Sequence, residues 1–138
     1  MTLEKLIVVT GRPGIFKIAS QGKAGLIVES LTDNKKFPIH NIHNVSSLND
    51  IAIYTDEEEV PLRNIFTSIH KKEDGKTTIN HKESKNVLVD FFLEILPNYD
   101  TERVYPSNIK KIVQWYNILV DAKFDFAGLD KLDSEEEE

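Results

Sequence analysis

"VTGRPGIFKIASQGKAGLIVES", residues Val9 to Ser30, holds four of the six glycines in the chain, and two of its basic residues, Arg12 and Lys23, each follow a glycine directly. The stretch is either a phosphate cradle or a set of corners in a small β-sheet, and the choice decides the fold. A phosphate loop of the form G-x-x-x-x-G-K-[ST] wraps its backbone amides round the anion while a lysine and a hydroxyl reach the phosphates and the metal. Counting from Gly11, the sixth position is Phe16; Gly22-Lys23 is followed by Ala24, and Lys17 stands where the first glycine would be needed. A dinucleotide fingerprint fails too, because Gly11 and Gly14 are wrongly spaced and the residues after them read as a strand rather than a helix. Turn chemistry accounts for the same residues. Pro13-Gly14 suits the central pair of a type II turn, and Gly22 with Gly25 brackets a hairpin.

Working outward, short β-prone runs separated by turn residues fill the first part of the chain: Leu3 to Thr10, Ile15 to Ser20, Gly25 to Leu31, Lys36 to His40 and Asp50 to Thr55. Five such runs joined by tight turns predict a small antiparallel barrel, with "VSSLN" as the single helical turn before the last strand of an SH3-like barrel. From residue 56 the hydrophobic period changes. Leu62, Ile65, Phe66 and Ile69 predict a first helix; Leu88, Phe91, Phe92 and Ile95, stopping before Pro97, a second; Ile109, Ile112, Val113, Tyr116, Leu119 and Val120 a third, opened by Pro106 or Ser107. "EDGKTTINHKES" reads as a variable, mobile polar loop, and "KFDFAGLDKL" as a loosely docked segment. The expected fold is α+β: a barrel domain over 1–55, a three-helix domain over 56–124 packed with it, and an irregular segment with a disordered acidic tail over 125–138.

Charge and composition bound the function. The chain has 138 residues and a net charge of −6, split into +2 over residues 1–55 and −8 over the rest, with Asp133 and Glu135 to Glu138 in the tail. That balance opposes strong sequence-independent nucleic-acid binding but leaves room for a local basic face on the first lobe. The absence of cysteine removes disulfides, thiolate nucleophiles and thiolate-bound metals. Leu6 to Val9 is too short an apolar run for a signal peptide or membrane span, so a cytoplasmic location without membrane association is expected.

Catalytic patterns are weak. His40 and His43 form the one close histidine pair, but in an extended segment an i, i+3 spacing points them to opposite sides. Ser46-Ser47 lacks a nucleophile-elbow pattern. Glu57 to Glu59, and Asp100 with Glu102, read as acids at helix starts. We expect no catalytic residue, metal, cofactor or small-molecule substrate. Binding surfaces fit better. Arg12, Lys17, Lys23, Lys35 and Lys36 fall on strands and turns of the first lobe, positions that serve either partner contact or protection of sheet edges. Trp115 lies off the main stripe of the third helix, with Lys111 one turn before it, and either widens the buried face or anchors a partner.

"VTGRPGIFKIASQGKAGLIVESL", "HNVSSLNDIAIYTDEEEVPL" and "LPNYDTERVYPSNIKKIVQWYNILV", with the acidic C-terminal tail, resemble a small uncharacterised Bacteroidota protein family made of two consecutive domains of unknown function. The resemblance covers nearly the whole chain and implies no activity, cofactor or site residue. The expected function is a non-enzymatic binding or adaptor protein with a protein or ribonucleoprotein partner, using Arg12, Lys23, Lys35, Lys36, Lys111 and Trp115. The alternatives are RNA or ribosome association through the basic side of the barrel, and a hydrolase built on His40 or His43.

Overall fold

The computed structural model describes residues 5–23, 25–39, 45–124 and 126. Cα proximity divides the chain into two compact units, Met1–Ile51 and Ala52–Glu138.

In the first unit, β1 (Leu6–Val9), β2 (Arg12–Gly22), β3 (Gly25–Ser30), β4 (Lys36–Ile39) and β5 (Val45–Ser47) form one antiparallel sheet in the order β4-β3-β2-β1-β5. Among the described residues this sheet is open, with β4 and β5 as its edges, so the closed SH3-like barrel of the sequence reading is replaced by a five-stranded sheet. Strand assignment explains the difference. "DIAIYT" does not supply the fifth strand; Val45–Ser47 does, and the expected helical turn follows it as a 3₁₀ turn at Leu48–Asp50, where the Ser47 hydroxyl accepts the Asn49 N–H at 3.2 Å. Ile7, Val9, Phe16, Leu26, Val28 and Ile39 form one buried cluster, with Phe37 and Val45 packed against it. They share it because side chains alternate along each strand and cross-strand partners share a face.

The corners differ in detail from the sequence reading. Val9 pairs with Arg12, which puts the first turn at Thr10-Gly11, with Gly11 at φ +86°, and leaves Pro13-Gly14 inside β2. Between the Ile7–Phe16 and Val9–Arg12 pairs, β2 holds two more residues than β1, and Gly14 takes up this surplus at φ +101°, where a side chain would be strained. A second irregularity gives β2 one extra residue at Ala19, between Ile18–Val28 and Ser20–Ile27. Gly22 and Gly25 bracket the β2–β3 hairpin as expected.

In the second unit, β6 (Ala52–Ile53) pairs with β7 (Val60–Pro61). The helices are α1 (Leu62–Lys72), α2 (Lys85–Ile95) and α3 (Pro106–Asp121). The predicted stripes are the buried faces: Leu62, Ile65, Phe66 and Ile69 on α1, Leu88, Phe91 and Phe92 on α2, and Ile109, Ile112, Val113, Tyr116 and Leu119 on α3. Pro106 stands at the first position of α3, where its missing N–H costs nothing. α2 starts at Ser84, whose hydroxyl accepts the Val87 N–H. α1 and α3 both end in Schellman turns. At α3 the Phe124 N–H donates to the Leu119 carbonyl at 2.9 Å and the Lys123 N–H to Val120 at 3.0 Å, with Lys123 at φ +61°. At α1 the Gly75 N–H reaches the His70 carbonyl at 3.0 Å, with Asp74 at φ +55°.

Two expectations change here. Phe124 and Phe126 are buried, and Phe126 stacks on His70 with centroids 4.6 Å apart, so the start of "KFDFAGLDKL" is firmly seated. The polar loop between α1 and α2 is pinned to α3: Tyr116 Oη donates to the Lys76 carbonyl at 2.6 Å, Asn117 Oδ1 accepts the Thr78 N–H at 2.8 Å, and Asn117 Nδ2 donates to the Ile79 carbonyl at 2.9 Å. His40, His43 and the acidic tail lie outside the described residues.

Candidate interaction surfaces

The sheet spreads the predicted basic residues over two ends. Arg12 follows the β1–β2 turn and Lys35 and Lys36 follow the β3–β4 turn, which an antiparallel meander puts at one end; Lys23, in the β2–β3 turn, is at the other, on the order of 30 Å away along a straight strand. The Arg12 guanidinium lies 4.3 Å from the centre of the Phe37 ring, which meets Phe16 edge-on at 5.2 Å. This cation–π contact caps the edge of the buried cluster and leaves Arg12 exposed. Lys17, Glu29 and Lys36 are cross-strand neighbours on β2, β3 and β4, and the Glu29 carboxylate sits 3.3 Å from Lys17 and 4.0 Å from Lys36. An acid is thus built into the middle of the basic face. The turn carrying Lys35 is set by Asp33, whose Oδ1 accepts the Lys35 N–H at 3.0 Å.

On α3, Lys111 is exposed and Trp115 half-buried, flanked by buried Tyr116. Burial, with Glu73 as a smaller influence, pushes the Tyr116 phenol up to about 12. His81, in the pinned loop, is held below its ordinary value by burial and by Lys82 and Lys110. Among the described residues no three His, Asp or Glu side chains gather as metal ligands would. A hollow of about 180 Å³ at the β2–β3 hairpin is lined by residues including Ser20, Gln21, Leu26 and Pro38. It falls below the roughly 300 Å³ at which small-molecule sites begin.

The second unit carries a surface that the sequence reading did not single out. Tyr54 and Tyr105 are 42% and 60% exposed, and the Arg103 guanidinium lies 5.1 Å from the centre of the Tyr54 ring. Arg103 Nε is 3.5 Å from Asp100 Oδ2, and the Asp100 N–H donates to the Tyr54 carbonyl at 2.9 Å. Tyr105 occupies the N-cap of α3, a place normally taken by a short polar side chain. Here the cap is made in reverse, Asn108 Oδ1 accepting the Tyr105 N–H at 2.8 Å, so the phenol ring is left to solvent. An aromatic directly before a helix-opening proline, Tyr105-Pro106, is the signal the sequence carries for it. Glu57 to Glu59 also depart from expectation: they precede β7, and the first turn of α1 contains no acid.

The comparisons with known proteins agree with this two-part division. Residues 3–48 match the model described as "Domain of unknown function (DUF5606)", and residues 51–119 the model described as "Domain of unknown function (DUF6852)". A solution NMR structure of a Bacteroides vulgatus protein, a structural-genomics target, is 44% identical with a TM-score of 0.73, over 90% of this chain and 89% of that one. No curated protein matches. The chain therefore belongs to the family built from these two consecutive domains of unknown function.

Proposed function

We propose that this is a non-enzymatic cytoplasmic binding or adaptor protein that engages a macromolecular partner. The observation that carries the reading is the exposed Tyr54–Arg103–Tyr105 surface, held in place by backbone hydrogen bonds rather than left on a free loop. Tyrosine and arginine are, with tryptophan, the residue types most enriched among those that dominate protein interfaces, because each offers a large contact area with a polar end. The absence of a helix long and apolar enough to cross a membrane, among the described residues, is compatible with the location proposed.

The test is quantitative capture from the source cell with immobilised full-length chain, with and without ribonuclease. Wild type is compared with a Tyr105→Ala/Arg103→Ala double variant, with Trp115→Ala, and with Arg12, Lys23, Lys35 and Lys36 all changed to alanine. Ribonuclease-resistant partners that disappear with the double variant support the reading. Partners indifferent to all three variants would remove it. The second reading, RNA association through the sheet, draws on Arg12, Lys35 and Lys36 at one end, and requires binding that weakens steeply with salt and is lost in the fourfold variant.

A further inference from the structure

We infer that the surface formed by residues 54–59 and 98–105 docks a basic protein segment, one presenting lysines or arginines around an apolar side chain; this rests on the binding reading above and names its partner chemistry. Two stretches of chain 42 positions apart are joined here. Asp56 N–H donates to the Asn98 carbonyl at 3.0 Å, Asn98 Nδ2 donates to Asp56 Oδ1 at 3.0 Å, and Thr55 and Tyr99 form an antiparallel bridge. The Thr55 hydroxyl donates to the Glu58 carbonyl and accepts the Glu57 N–H at 3.1 Å, which holds the acidic run in a fixed turn beside the exposed tyrosine. The two stretches carry Asp56, Glu57, Glu58, Glu59, Asp100 and Glu102 against the single base Arg103. Glu57, Glu58, Glu59 and Glu102 make no ion pair among the described residues.

The two joined stretches thus carry exposed aromatic side chains and, Arg103 apart, charges of one sign, and the sign selects the occupant. A second copy of the same surface and an RNA backbone are both repelled by it. Cationic side chains gain twice, from the carboxylates and from the exposed ring of Tyr105. Arg103, already paired with Asp100 and lying over Tyr54, presents its remaining donors to the partner's backbone carbonyls.

The experiment is an amide chemical-shift titration of the full-length, isotope-labelled chain with two synthetic twelve-residue peptides, three repeats of Lys-Leu-Arg-Ala and three repeats of Glu-Leu-Glu-Ala. The basic peptide is expected to shift residues 54–59 and 98–105, to lose affinity severalfold between about 50 and 200 mM salt, and to bind roughly tenfold more weakly to a Glu57→Gln/Glu58→Gln/Glu59→Gln variant. The acidic peptide is expected to leave those residues unmoved. The inference is overturned by no response to the basic peptide, by a response located elsewhere, by equal binding to the triple variant, or by an oligoribonucleotide shifting the same amides. Capture of a partner that needs Arg103 and Tyr105, with no response to the basic peptide, would retain the binding reading and remove this one.

Discussion

Replacing Asn117 by alanine will release the loop between α1 and α2. The side chain accepts from Thr78 N–H and donates to the Ile79 carbonyl, at 2.8 and 2.9 Å. Two such bonds contribute about 1 kcal/mol each, and the stranded backbone groups, in half-buried surroundings, raise the cost to about 2–3 kcal/mol. Alanine returns about 0.6 kcal/mol through its better helix propensity. The net expectation is a loss of about 1.5–2.5 kcal/mol, read from urea unfolding at pH 7. Hydrogen exchange supplies the second readout, because the Thr78 amide must lose its protection while amides of the α3 interior keep theirs. Asn117→Asp retains the acceptor for Thr78 but sets a carboxylate against the Ile79 carbonyl, so at pH 7 it should be no better than alanine. A loss below about 0.5 kcal/mol, or an unchanged Thr78 exchange rate, refutes the clamp. Pairing Asn117→Ala with Tyr116→Phe tests it again: both side chains hold one loop, so the second change should cost less once the first is made.

Tyr116 gives a pH dependence of known sign. Its folded value is raised to about 12 from an unfolded value near 10, so between these the folded state keeps a proton the unfolded chain has lost. The stabilisation is whole below about pH 10 and disappears as pH rises towards 12; unfolding curves of wild type and Tyr116→Phe should differ in slope only in that window. Lys123→Gly should stabilise by about 0.5–1 kcal/mol in thermal melts, since glycine adopts the left-handed turn at the end of α3 without strain; an equal or lower melting temperature would count against that geometry. Arg12→Ala removes the cation–π cap on Phe37 and should cost about 0.5–1 kcal/mol, whereas Lys23→Ala, at the far hairpin, should leave urea midpoints unchanged.

The helices were legible because a single stripe on each decides which side is buried: Leu62, Ile65, Phe66 and Ile69 could face the core together only as a helix. The sheet was harder, because short apolar runs do not announce their partners. "DIAIYT" is the more β-prone of the two by composition and "NVSSL" the less, yet Ala52–Ile53 found only Val60–Pro61 while Val45–Ser47 completed the sheet on β1. Pairing is a tertiary choice that composition does not encode. The same holds for the candidate surface. Tyr54 and Arg103 meet only because the Thr55–Tyr99 bridge joins distant stretches, and Asn117 reads as an ordinary polar residue on α3 until the loop it grips is seen.

The two irregularities of β2 differ in what they do to the alternation of side chains along the strand. The surplus opposite β1 is two residues, an even number, so alternation passes through it unaltered and Arg12 keeps the parity of Phe16. The surplus opposite β3 is one residue, an odd number, and it places Gln21 rather than Ser20 opposite Leu26. Loss of Pro13 and Gly14 together would shorten the strand in phase. Loss of Ala19 alone would likewise leave Ser20–Ile27 and Gln21–Leu26 paired as they are, so this single small residue bends the strand that leads to the tip bearing Lys23 without deciding which side chains beyond it face the core.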